Sequence, residues 1–170
     1  ITLATGEGER SLFDLSTSES IRKNEGIPLP NIPNVTDSLF REHVMLMRYL
    51  TTTTEDEGNK EIIFGVINIT DQSDWIRCCL PHNITTYNGS GVGGYSGVSP
   101  YLYTVEHFYT SRGKLPEYDS NFPTKSKWLT SAGLSNSDII KLNVDREPRF
   151  YAWIGFDGGE YSSLLADGAP

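Results

Sequence analysis

The segment that decides the fold is DREPRFYAWIGFDGG, residues 145–159 of a chain of 170 residues. Two arginines, Arg146 and Arg149, flank a proline and alternate with the acidic residues Asp145 and Glu147. Guanidinium and carboxylate groups so close together can form bidentate ion pairs. The pattern therefore predicts paired, partly buried salt bridges that fix a corner of the chain, a structural role and not a catalytic one.

An aromatic stretch follows this charged corner. Residues 150–156 read Phe-Tyr-Ala-Trp-Ile-Gly-Phe, and their alternation predicts a strand. Asp157, Gly158 and Gly159 come next and are typical of a turn.

Residues 37–50 carry the clearest helical pattern in the chain. Thr36 or Asp37 can cap this helix. Its apolar residues recur at steps of three and four and predict one buried stripe, made of Leu39, Phe40, Val44, Met47 and Leu50. A shorter helix is predicted around residues 9–23, with Leu12, Phe13 and Leu15 on its inner side.

A further helix is predicted over residues 99–112. Ser99 would cap it, Pro100 would occupy its first turn, and Gly113 would end it. The expected inner face consists of Leu102, Val105, Phe108 and Tyr109. Residues 117–137 are predicted to be loop, and a short helix could run from Ser137 or Asp138 to Leu142.

A long loop separates two of these elements and holds the predicted binding residues. Residues 61–69 are predicted to form a buried strand or an extended core segment, and the stretch up to Pro100 has no clean period. Loops of this length in a compact domain are often functional. Trp75, Tyr87 and Tyr95 lie there among polar residues, and such rings can stack on sugar faces or anchor the loop to the core.

The sequence gives only weak signals for nucleotide binding, for catalysis and for a disulfide or metal site. The Gly-Ser-Gly-Val-Gly-Gly stretch at 89–94 fits a dinucleotide fingerprint by letters alone, without the strand before it or the helix within it. Acidic pairs for glycoside cleavage can be drawn from Asp71, Asp74, Glu106, Glu117 and Asp119, as in any acidic protein. The adjacent Cys78 and Cys79 cannot form a disulfide framework, and we expect no metal site there.

Composition narrows the class of protein. The net charge is −8, without a basic run, so broad electrostatic binding to nucleic acid or to an anionic membrane is not expected. The longest apolar stretch runs over residues 62–67 and is far shorter than the ~20 residues of a spanning helix. An aromatic content of 11% is too high for a disordered chain.

Three segments in a fixed order resemble the SusD/RagB family. They are EIIFGV at 61–66, SPYLYTVEHFYTSRGKLP at 99–116, and the segment at 145–159, which is similar to that family's REPRFYA…FDGG segment. Together they span about residues 61–160, over half of the chain.

This resemblance implies a fold and a location. The fold would be mainly α with long irregular loops and a few short strands. Residues 1–170 would be a portion of a SusD-like C-terminal (RagB/SusD) domain, incomplete at both ends and lacking the tetratricopeptide-like half. Family members are outer-membrane lipoproteins on the cell surface of Gram-negative bacteria, so the full-length protein would carry an N-terminal lipid anchor outside this chain.

The resemblance also implies a function without catalysis or cofactor. The protein would bind oligosaccharide or polysaccharide nutrients and deliver them to a SusC-like TonB-dependent transporter, as part of polysaccharide utilisation. Its partners would be the glycan, the transporter and the N-terminal helices of its own polypeptide, with no nucleic acid. Loop aromatics supply glycan contacts in this family, so Trp75, Tyr87, Asn88 and Tyr95 are the predicted ligand-binding residues. A peptide-capturing relative and a glycoside hydrolase remain alternatives.

Overall fold

The computed structural model describes residues 13–53, 59, 61, 78, 79, 97–134 and 138–159. Its helices are α1 (Leu15–Glu25), α2 (Ser38–Thr52), α3 (Leu102–Glu106) and α4 (Pro148–Trp153), with 3₁₀ turns at Pro116–Tyr118, Lys125–Lys127 and Lys141–Asn143. Within these ranges β pairing is confined to isolated bridges. The expected mainly helical, loop-rich fold is confirmed.

Aspartates begin the two longest helices. The Asp14 carboxylate accepts a hydrogen bond of 2.8 Å from the Thr17 backbone amide, so α1 begins at Leu15 and not near residue 9. The Asp37 carboxylate accepts one of 3.0 Å from the Leu39 amide, which confirms the predicted cap of α2. These bonds satisfy backbone donors that a helix start leaves without partners. No helix in the described residues has the length and apolar character needed to cross a membrane.

The buried face of α2 differs from the predicted stripe. Val44, Met45 and Tyr49 are buried, whereas Leu39 is 54% exposed. The reason is that α2 packs against both α1 and α4 and buries a different residue set on each. Val44 belongs to a cluster with the α4 aromatics, while Met45 and Tyr49 pack with Phe13 beside α1.

The predicted strand at 150–156 is wrong, because residues Pro148–Trp153 form α4. Pro148 stands in the first turn, where its fixed φ favours a helix and its missing N–H has no partner to lose. Phe150 and Tyr151 are consecutive and both buried against α2, which a strand with one buried face would not allow. The turn at residues 157–159 is present, with φ of 82° at Gly158.

The predicted helix at 99–112 is also corrected, since α3 ends at Glu106. Beyond it, the Phe108 carbonyl accepts a hydrogen bond from Arg146, and the Tyr109 amide donates one to the Glu147 carboxylate at 2.8 Å. These tertiary bonds use groups that a longer helix would need for its own ladder.

The start, the end and the inner face of this helix also differ from the prediction. Tyr101, and not Ser99, is the N-cap, without a side-chain bond, and Gly113 closes a turn at φ 72°. Leu102 and Tyr109 are exposed, while Val105 and Phe108 pack against the α4 cluster as predicted. The short helix expected to end at Leu142 is a 3₁₀ turn, Lys141–Asn143.

Candidate functional site

The predicted ligand-binding residues lie between Glu61 and Gly97, where the structure describes only Cys78 and Cys79. These two residues are helical, so the prediction of one continuous loop up to Pro100 is wrong at this point. Trp75, Tyr87, Asn88 and Tyr95 are outside the described residues, as are the glycine stretch at 89–94 and all of 61–69 except Glu61. These assignments stay predictions. The described residues show how the chain is held on the two flanks of residues 62–96.

The first flank is fixed by a buried asparagine next to the end of α2. The Asn59 amide nitrogen donates to the carbonyls of Leu50 at 3.0 Å and Thr53 at 3.3 Å, and its side-chain oxygen accepts from the Glu61 amide at 3.3 Å. Asn59 is fully buried. The Glu61 carboxylate in turn accepts a hydrogen bond of 2.7 Å from the Phe13 amide. These bonds hold Asn59 against the end of α2 and Glu61 against Phe13.

The second flank is fixed by backbone bonds that lead into α3. The Val98 amide donates to the Cys78 carbonyl at 2.9 Å. Cys78 is half-buried, Cys79 is exposed, and both are free thiols. The Tyr101 carbonyl then accepts hydrogen bonds from the Thr104 and Val105 amides at 2.9 and 3.2 Å, which start α3.

A single buried arginine anchors α3 to the rest of the structure. The Arg146 side chain is fully buried and donates to four backbone carbonyls. Its partners are Val105 at 2.6 Å, Phe108 and Leu142 at 2.8 Å, and Tyr109 at 3.4 Å. The planar fork of the guanidinium suits such divergent acceptors.

Aromatic rings complete the surroundings of this arginine. The guanidinium carbon lies 4.8 Å from the Phe150 ring centre and 5.7 Å from that of Phe122, within cation–π range. Burial lowers the pKa of Arg146 to about 10, so the group is still charged at neutral pH. Burial likewise raises the pKa of Tyr151 to about 12, and its hydroxyl accepts a hydrogen bond from the Arg146 amide at 3.2 Å.

The salt bridges predicted for this segment are half confirmed. Arg149 pairs with Glu147 at 2.7 Å, as expected. The prediction for Arg146 is wrong, because its bonds go to backbone carbonyls and not to a carboxylate. Sequence alone could not separate the two arginines, since the carbonyls come together only in the folded chain.

Asp119, one of the acids considered for glycoside cleavage, has a structural role. It is 4% exposed and accepts hydrogen bonds from the Thr110 hydroxyl and Arg112 Nε, both at 2.7 Å, and from the Asn121 amide at 3.0 Å. Burial alone would raise its pKa, but these three donors together hold the pKa of the carboxyl below its usual value. A carboxylate so fully bonded is poorly suited to proton transfer.

Two exposed tyrosines at α3 were not singled out by the sequence pattern. Tyr101 is 85% exposed and Tyr103 is 70% exposed. The available signal was the four-residue spacing of Tyr103 and His107 on the predicted helix, opposite to the apolar residues used to define its inner face. In the described part of the chain, no group of three or more His, Cys, Asp or Glu side chains could hold a metal.

The fold and these anchors define a mainly helical scaffold in which the buried side chains of Asn59 and Arg146 hold the chain on the two sides of residues 62–96. The model of the SusD family matches residues 60–167. The chain belongs to the SusD family.

Solved structures agree with this assignment. The chain is 48% identical to two structures of BT4246, a SusD-like protein of Bacteroides, one of them the selenomethionine form, with a TM-score of 0.78 to each. The similarity covers 93% of this chain and 27% and 26% of those chains, so this chain spans about a quarter of their length. A comparison with curated proteins found no match.

Proposed function

We propose that this protein captures oligosaccharide or polysaccharide nutrients at the outer surface of a Gram-negative cell. The observation that carries the proposal is membership of the SusD family, together with 48% identity to BT4246 over 93% of the chain. The captured glycan is passed to a SusC-like TonB-dependent transporter in the same membrane. An N-terminal lipid anchor on the full-length protein holds it there.

The described scaffold supports binding more than catalysis. Its buried charged groups, Arg146 and Asp119, are fully engaged in holding backbone and neighbouring side chains. Groups used in this way stabilise a fold and do not move protons during a reaction. The protein therefore acts as a binding module, with specificity residing in the segment between residues 61 and 100.

Within that segment we propose Trp75, Tyr87, Asn88 and Tyr95 as the glycan-contacting residues. Trp75 offers the largest flat face, and polar neighbours can orient sugar hydroxyls. Trp75→Ala is expected to weaken glycan binding by about tenfold or more. Asp71→Asn and Asp74→Asn are matched controls with smaller expected effects, because exposed hydrogen bonds to neutral hydroxyls compete with water.

Isothermal titration calorimetry of the complete protein tests the proposal. The probes are malto-, cello-, xylo-, manno- and fructo-oligosaccharides, with the polysaccharides from which each derives. Saturable binding to at least one glycan is the expected result. If the protein binds a peptide mixture and no glycan, the captured nutrient is a peptide and the proposal is wrong. If the pure protein releases reducing ends from a glycan, it is a hydrolase.

Delivery to the transporter needs a separate experiment. A tagged protein purified from solubilised outer membranes of its native host should bring down a TonB-dependent transporter at a near equal molar ratio. A protein that binds glycan but is recovered without any transporter would limit the function to capture.

A further inference from the structure

We propose that the exposed rings of Tyr103 and His107 at α3 form a sugar-stacking subsite, additional to the aromatics predicted between residues 70 and 100. This inference rests on the proposed glycan-binding function. It assigns part of that function to residues that sequence reasoning left out.

The rings of Tyr103 on α3 and of His107 at its C-cap are arranged in advance of any ligand. The Tyr103 and His107 ring centres are 3.9 Å apart, with a tilt of 34° between the rings. His107 Nδ1 is 2.7 Å from the Tyr103 carbonyl and therefore donates to it, which fixes the imidazole orientation. Because His107 covers one face of Tyr103 and the side chain is still 70% exposed, the opposite face of the phenol is open.

Hydrogen bonds hold the backbone that carries the subsite. The Tyr101 carbonyl accepts two amide bonds that begin α3, and the Val105 carbonyl is held at 2.6 Å by the buried Arg146. Ordering of the backbone is therefore not required on binding, and such preorganisation favours affinity.

The chemistry of this surface suits a neutral sugar. A flat aromatic face matches the apolar face of a pyranose ring, while the Tyr103 hydroxyl and the second imidazole nitrogen can bond to hydroxyl groups. Glu106, the acidic residue of α3, is paired with Lys125 at 3.0 Å, so it does not present a free charge beside the rings. An anionic or cationic partner would find no complementary charge on α3 itself.

The test is calorimetric titration of the complete protein and of Tyr103→Ala with the oligosaccharides named above. Tyr103→Ala is expected to bind the preferred glycan about tenfold more weakly, and Tyr103→Phe to keep most of the affinity, because stacking needs the ring and not the hydroxyl. Tyr118→Ala is the matched control, since Tyr118 is 73% exposed at a separate 3₁₀ turn. It should bind as the wild type does.

The outcomes separate this inference from the proposed function. If the wild type binds glycan and folded Tyr103→Ala binds equally well, the subsite is wrong while the proposed function stands. If the wild type binds no glycan, both fail. If Tyr103→Ala keeps glycan affinity but loses the co-purifying transporter, this surface is a protein interface and the subsite is again overturned. Thermal melting of each variant excludes unfolding as the cause.

Discussion

Arg146 shows how one residue can organise a segment without an ion pair. Its charge is buried, yet every hydrogen bond from the guanidinium goes to a backbone carbonyl, and two aromatic rings lie over it. Carbonyl dipoles replace the water that the charge loses on burial. The same bonds contribute to the early end of α3, because they take the Val105 and Phe108 carbonyls.

Arg146→Lys is therefore expected to lower the free energy of unfolding by about 2–4 kcal/mol, because a lysine keeps the charge but lacks the planar fork. Arg149→Lys is the control. Arg149 is more exposed and pairs with Glu147, so its replacement should change the free energy by less than about 1 kcal/mol. Urea unfolding monitored by circular dichroism measures both. Equal effects of the two variants would contradict the anchoring role.

Ser18 is a position at which a substitution is expected to stabilise the protein. Its hydroxyl is fully buried in α1 and has no hydrogen-bond partner in the described part of the chain. Ser18→Ala should raise the free energy of unfolding by about 1 kcal/mol, because it removes a buried unsatisfied group and adds a better helix former.

Ser20→Ala on the exposed side of the same helix provides the comparison for Ser18. It gains helix propensity alone, so its effect should be smaller, at about 0.5 kcal/mol or less. Thermal melting of both variants tests the difference. A destabilised Ser18→Ala would mean that the hydroxyl has a partner in solution.

At the scale of elements, the packing of α4 against α2 is the main helix–helix contact of the described core. Phe150 is fully buried, meets Phe108 and Tyr151 edge to face, and shares a cluster with Val44. The Trp153 indole donates a hydrogen bond of 3.3 Å to the Met47 carbonyl and so links α4 to α2.

Phe150→Ala is expected to lower the free energy of unfolding by about 3–5 kcal/mol, since it leaves a void among rigid neighbours. Leu39→Ala, on α2 but 54% exposed, should change it by less than about 0.5 kcal/mol. Chemical denaturation compares the two variants. A mild effect at Phe150 would show that α4 is not part of the core in solution.

For the whole molecule, carboxylates set the dependence of stability on pH. The Thr17 amide lowers the pKa of Asp14, Lys23 lowers that of Glu19, and the donors around Asp119 lower its pKa against the effect of burial. A carboxyl with a lowered folded-state pKa contributes stability that is fully present above its ordinary value, near 4, and is lost as the pH falls through the folded-state pKa. We therefore expect the melting temperature to be steady near neutrality and to fall below about pH 4.

Asp119→Asn isolates the contribution of the buried Asp119 carboxylate. The variant should melt at a lower temperature than the wild type at pH 7, and the difference should shrink as the pH is lowered below 4. Glu117→Gln, at an exposed acid close by, should follow the wild-type pH profile. A constant difference between Asp119→Asn and the wild type at all pH values would show that the Asp119 carboxyl does not carry this dependence.

Local signals in the sequence predicted the helix α2, the turn at residues 157–159 and the family of this protein. A cap at Thr36 or Asp37 and the periodicity of 37–50 predicted α2, for which the structure selects Asp37 as the cap. The Asp157-Gly158-Gly159 turn needed only its own residues. The ordered segments at 61–66, 99–116 and 145–159 predicted the family, which the match at 60–167 confirms. Caps, turns and ordered motifs depend on residues close in the chain, so they can be recognised without the fold.

The tertiary structure decided the short elements and the partners of buried charges. Residues 150–156 carry mixed local preferences, and packing of Phe150 and Tyr151 against α2 selects the helix α4. α3 ends at Glu106 because Arg146 and Glu147, about 40 residues along the chain, take its backbone groups. Short helices are marginal on their own, so contacts distant in sequence determine whether and where they form. The stacked pair of Tyr103 and His107 has the same origin, since its exposure depends on which face of α3 the core claims.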